Sequence, residues 1–178
     1  MPHICLPSRL PGIRSLFAFS PSSAGPLLAL AQTLLRGDST LSAGERELIA
    51  AYVSRKNGCF FCSMSHGAAA QHLFPGGRRV VSAALKNPAR APVSTKLKTL
   101  LAIASKVQKG GKHVLKSDVT KARMAGASEK EIHDVVLISA AFCMYNRYVD
   151  GLDSWAPKRK AAYDEMGKFL ADRGYAGR

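Results

Sequence analysis

The chain of 178 residues (19.1 kDa) is 47% hydrophobic and 21% charged, the composition of an ordinary globular protein, which excludes disordered, collagen-like and low-complexity classes. Its length suits one domain with a sizeable core, and its longest apolar stretches, 26–35 and 135–144, fall short of the roughly 20 residues that cross a bilayer. The net charge of +14 is uneven: the 78–130 stretch holds thirteen Lys and Arg against Asp118 and Glu129, a pattern that fits a solvated cationic face before it fits nucleic acid.

No acidic residue precedes Asp38, and Arg9, Arg14 and several serines give the first segment the composition of a transit peptide. Pro2, Pro7, Pro11, Pro21 and Pro26 would break the amphipathic helix such a peptide needs, so residues 1–25 are expected to be extended and the protein cytoplasmic. A helix over 26–36 follows, with a proline in its first turn and Gly37 as its stop. Ser42 and Glu45 form a capping box for a second helix to about Lys56, in which Leu48, Ile49, Tyr52 and Val53 recur at helical spacing. Asn57-Gly58 breaks it, and a third helix opens near Cys59 and runs to His72 or Leu73, before Phe74-Pro75-Gly76-Gly77. A short helix is predicted over 78–86, a loop over 87–92, and an amphipathic helix over 93–108 that turns its lysines away from the apolar face. Ser117 is expected to cap a helix over 118–125. Ser128 and Glu131 form a second capping box, opening a long apolar helix to about Asp150, and 156–173 completes the set. Nothing between these segments alternates as a strand does, so the fold class is all-α, a single domain over 1–178.

The segment from Glu47 to His66, ELIAAYVSRKNGCFFCSMSH, contains E-x11-C-x2-C-x3-H. Cys62 and His66 stand at i and i+4 of one helix and share a face, so the imidazole can take the thiol proton and hold the thiolate. Cys59 lies nearly one turn earlier, close enough for a disulfide. The Asn57-Gly58 turn folds the preceding helix back, from which Glu47 can reach and orient the imidazole. Cys59, Cys62, His66 and Glu47 are also four possible zinc ligands, but no second CxxC or HxxxH supports a structural site, and no metal is expected. Cys5 and Cys143 stand alone. His3, His72, His113 and His133 are dispersed and read as surface or core histidines.

With its spacing intact, this motif resembles that of the alkylhydroperoxidase D-like family, in particular the peroxidase-related branch of the carboxymuconolactone decarboxylase superfamily. The likeness extends to Leu10-Pro-Gly-Ile-Arg14, to GERELIAAYVS from Gly44 to Ser54, and to EIHDVVLISAAFCMYNRYVDGL from Glu131 to Leu152. It implies an all-helical bundle, a homo-oligomer such as a trimer or hexamer, and thiol-dependent reduction of a hydroperoxide without metal, flavin or other cofactor. In the family's terms Cys62 is the peroxidatic thiol, His66 its activator, Glu47 the end of the relay and Cys59 the resolving thiol. A dithiol donor, lipoyl-type in some members, would reset the disulfide. Phe61 stands where well-described members carry tyrosine.

Two other functions are compatible with parts of the chain. A superfamily lyase acting on a small lactone acid would need no cysteine pair. A nucleic-acid regulator would use the basic stretch, where 119–136 imitates a helix-turn-helix, but Glu129, Glu131 and Asp134 at the start of the would-be recognition helix repel phosphate. Asn146, Arg147 and Asp150 follow a buried-looking run and need partners, structural ones or a substrate. Trp155, Phe17 and Phe19 read as packing residues of a core or subunit contact.

Overall fold

The computed structural model describes residues 1–7 and 9–176, and among these the regular structure is entirely helical. The α-helices are α1 (Ile13–Phe19), α2 (Pro21–Arg36), α3 (Ala43–Asn57), α4 (Phe60–Leu73), α5 (Gly77–Lys86), α6 (Thr95–Lys109), α7 (Lys116–Met124), α8 (Glu129–Gly151) and α9 (Lys160–Arg173). Both capping boxes form: the Ser42 hydroxyl accepts the Glu45 amide at 3.2 Å while the Glu45 carboxylate accepts the Ser42 amide at 2.9 Å, and Ser128 with Glu131 does the same for α8. None of the described helices is long and apolar enough to cross a membrane.

Four expectations are corrected. The segment expected to be extended to residue 25 is helical from Ile13, with α1 in the proline-free run between Pro11 and Pro21, and Pro21 occupies the first position of α2, where a missing N–H costs nothing. Pro26 lies inside α2 rather than opening it, and forgoes one backbone bond there. Ser117 is not a cap: α7 begins at Lys116, and the Asp118 carboxylate accepts the Leu115 amide at 2.8 Å in its place. The last helix also starts later than expected, at Lys160, after an irregular crossing in which the Trp155 carbonyl accepts the Gly12 amide at 2.9 Å.

α3 is the central element, packed against α4, α6 and α8. Leu48, Ile49, Ala50, Ala51 and Val53 are all fully buried, so apolar residues surround this helix and its charged members must find partners inside. Gly58 takes a left-handed conformation (φ 79°) that ends α3 and lets the chain fold straight back into α4. On its other side α4 meets α9 at very close range: a Cβ at Gly167 would lie 2.5 Å from the Ala68 Cβ and 2.6 Å from the Ala68 carbonyl carbon. The α3–α4–α9 stack therefore fixes what α4 carries from both sides.

Candidate active site

Glu47 is fully buried on α3, and a carboxylate without water must be paired. Each of its oxygens is engaged. His66 Nδ1, on α4, lies 2.8 Å from Oε2, while Arg36 Nη2, at the end of α2, lies 2.8 Å from Oε1. The Tyr175 hydroxyl donates to the same Oε1 at 2.7 Å and stands 3.1 Å from His66 Nδ1. Burial pushes the Glu47 carboxyl up, but the charge and hydrogen bond of His66, the charge of Arg36 and the hydrogen bond of Tyr175 outweigh it and hold its pKa below the ordinary value. Glu47 is thus an anion at neutral pH. With Nδ1 engaged by the carboxylate, Nε2 is the ring nitrogen left for a thiol proton.

The imidazole is flanked by two aromatic rings. Phe142 meets it edge-on at 4.6 Å between centroids, and Tyr175 stacks at 6.1 Å with 17° between planes. Arg36 is anchored in turn by the carbonyls of Leu35 and Leu170, both at 2.8 Å, and its guanidinium lies over the Tyr175 ring at 5.3 Å.

The thiols sit at the amino end of α4. Cys59 is its N-cap residue and fully buried, Cys62 lies in the first turn at 3% exposure, and both are reduced. They share a small apolar cluster with Phe61, Ala68, Val149 and Tyr163. A hydrogen bond with Cys62, burial, and the Asp150 carboxylate at the end of α8 push the Cys59 thiol far up, so Cys59 keeps its proton at neutral pH. Burial and the nearby thiols likewise push Tyr163 up to about 12.

Glu47 and His66 are therefore joined directly and Cys59 and Cys62 to each other, while the two pairs are linked along one turn of α4. Among the described residues no hydrogen bond joins the His66 imidazole to the Cys62 thiol in this reduced state. Nor do any three His, Cys, Asp or Glu side chains cluster as metal ligands among them.

The other sequence candidates disperse. Asn146 is structural, donating to Ser54 at 3.0 Å and accepting from Asn57 at 2.8 Å, which ties α8 to α3. Arg147 donates to its own helix at the Cys143 carbonyl, and Asp150 faces Cys59. The acidic start of α8 is consumed internally: Arg123 bonds Glu129, Lys96 bonds Glu131, and Lys130 and Ser39 bond Asp134. Phe19 and Trp155 remain half exposed rather than in a core. Arg36 and Tyr175 are the residues that sequence reasoning misses. Tyr175 lies far from Glu47 in the chain and Arg36 ends the preceding helix, and the only signal for them is a demand, since a carboxylate on an apolar helix needs a cation and donors from somewhere.

Compared by sequence, the chain matches no protein-family profile and no curated protein. Compared by structure, it is similar to an uncharacterised peroxidase-related protein from Silicibacter sp. TM1040, with TM-score 0.78 and 27% identity over 88% of this chain and 80% of that one. A second, described as an alkylhydroperoxidase AhpD core and uncharacterised peroxidase-related protein from Ralstonia eutropha JMP134, gives TM-score 0.79 and 24% identity over 89% and 82%. A third, a protein of unknown function from Agrobacterium tumefaciens proposed to be the antioxidant defence protein AhpD, gives 0.67 and 22% over 81% and 97%.

Proposed function

We propose that this chain, which resembles AhpD-like peroxidase-related proteins in fold and in the Glu47–Cys59–Cys62–His66 spacing, is a thiol-dependent hydroperoxide reductase acting in antioxidant defence. The observation that carries the reading is the buried, direct Glu47–His66 bond at 2.8 Å, one helical turn from Cys62. His66 Nε2 takes the Cys62 proton, and the thiolate attacks the terminal peroxide oxygen. An S–O bond forms as the O–O bond breaks, and the departing alkoxide takes the imidazolium proton to leave as alcohol. Cys59, which has kept its own proton, then attacks the sulfenic sulfur. The S–S bond replaces the S–O bond, and hydroxide leaves with that proton as water. An external dithiol, lipoyl-type by resemblance, reduces the disulfide to restart the cycle.

The division of labour between the sulfurs is supported by their surroundings, since Cys62 is the less enclosed and stands one helical turn before His66, whereas Cys59 is fully buried. The same reading makes the protein a cytoplasmic homo-oligomer of one domain per chain, and the half-exposed Phe19 and Trp155 support an apolar contact between copies. Thiol counting before and after stoichiometric cumene hydroperoxide, with mass mapping of a 59–62 bridge, tests it. Cys62→Ser is expected to abolish peroxide-dependent disulfide formation, whereas Cys59→Ser leaves a sulfenic acid on Cys62 that dimedone traps. Equal peroxide turnover in the two variants rejects these roles.

A further inference from the structure

We infer that Tyr175 is a positioning residue of this site, and that the segment after α9 folds back to complete the Glu47–His66 pair. The inference rests on the reading of Cys62 as the nucleophile and adds a component that the motif does not contain.

The segment is held by specific bonds. Gln32 Oε1, on α2, accepts the Tyr175 amide at 2.7 Å and the Ala176 amide at 3.2 Å, which fixes the backbone across the end of α2. From there the phenol enters between Arg36 and His66 and is only 7% exposed. Its hydroxyl has a single proton, which goes to Glu47 Oε1 at 2.7 Å, so the oxygen that faces His66 Nδ1 at 3.1 Å does so with a lone pair. The Nδ1–H therefore meets two acceptors, Glu47 Oε2 and Tyr175 Oη, and both favour the ring form whose base is Nε2. The same bond locks the carboxylate in rotation: with Oε1 held by Arg36 and Tyr175, Oε2 stays on the imidazole. The Tyr175 ring lies beside the Nδ1 edge and, with Phe142, leaves the histidine side chain only 12% exposed. Water is kept from a pair whose strength depends on dryness.

Tyr52, the one tyrosine within the motif, packs against the main core beneath Lys56, whose Nζ lies 5.8 Å from its ring centroid. Phe61 has no hydroxyl, and Tyr163 belongs to the apolar cluster around the thiols. A group that sets an imidazole through its carboxylate acts on proton transfer without touching substrate, so its removal changes the pH dependence of the thiol rather than the fold.

The test is alkylation of Cys62 by iodoacetamide in the native full chain across a pH series, read by mass mapping that separates Cys62 from Cys59, alongside 15N shifts of the His66 ring. Tyr175→Phe keeps the stacked ring and its contact with Arg36 and removes only the hydroxyl. It is expected to slow Cys62 alkylation near neutral pH about 10-fold, to displace the pH profile, and to move the His66 Nδ1 resonance. Gln32→Met, which loosens the segment without touching Glu47 or His66, is expected to act in the same direction with a smaller effect, and it serves if Tyr175→Phe proves unstable. A Tyr175→Phe profile and His66 resonances superimposable on the wild type overturn the inference, as does a slowed variant whose pH profile and resonances are unmoved, the mark of mere packing. The proposed function fails separately, if wild-type Cys62 alkylates as described but cumene hydroperoxide forms no sulfenic acid or disulfide.

Discussion

Glu47 concentrates the electrostatic stake of the molecule in one residue. A fully buried carboxylate is tolerated only because Arg36, His66 and Tyr175 surround it, and removing its charge strands the Arg36 guanidinium, which already has its Nε buried without a hydrogen-bond partner among the described residues. Glu47→Gln is accordingly expected to cost about 3 kcal/mol at neutral pH, the scale for breaking a buried pair from one side. The pKa of Glu47 is lower folded than unfolded, so its contribution is fully present above the ordinary carboxylate range, about pH 5 and higher, and is lost as pH falls through the folded value. Urea melts of wild type and Glu47→Gln between neutral and acid pH should therefore converge on the acid side. A gap that stays constant down to acid pH contradicts the charged, paired state of Glu47.

Among elements, the α4–α9 contact governs whether the thiols stay in place. Gly167 lets the two helices touch at backbone distance, and the added methyl of Gly167→Ala meets the Ala68 backbone, which cannot rotate aside as a flexible side chain would. The expected cost is about 1–3 kcal/mol, despite alanine's better helix propensity, and calorimetry should register a lower Tm; a raised Tm would mean that α9 is free to move off α4. Cys62 should also alkylate faster as α9 is pushed away. How far such elements are legible in the chain depends on whether their signals are local. α3, α4 and α8 announce themselves through capping boxes, the Asn57-Gly58 turn and helical spacing, each contained within a few residues. α1 and the first turn of α2 do not, because proline is read as a breaker when Pro21 in fact sits where a helix tolerates it. The site divides in the same way: Glu47, Cys59, Cys62 and His66 fall within one helical hairpin whose spacing can be read, whereas Arg36 and Tyr175 reach the carboxylate only through tertiary packing of α2 and the segment after α9.

For the whole molecule, a charge of +14 is a long-range property that individual pairs do not cancel. Asp118, Glu129, Glu131 and Asp134 are taken up by Lys106, Arg123, Lys96 and Lys130, which leaves the acids of this region locally neutralised and its field positive. These pairs also make the helix-turn-helix-like stretch 119–136 a structural clamp between α6, α7 and α8, and the field bears on what diffuses to the protein. In the proposed cycle the reductant is where that matters. A dithiol carrying a carboxylate, such as dihydrolipoate, is drawn by the field, and dithiothreitol, uncharged at neutral pH, is not. Stopped-flow reduction of the 59–62 disulfide should slow about fivefold with dihydrolipoate as ionic strength rises from about 20 mM to about 300 mM, because the Debye length contracts from about 20 Å to about 6 Å over that range. The dithiothreitol rate should hold nearly constant. Parallel salt dependence for the two reductants would mean that salt acts on the thiols or on the fold, and would remove steering from the account.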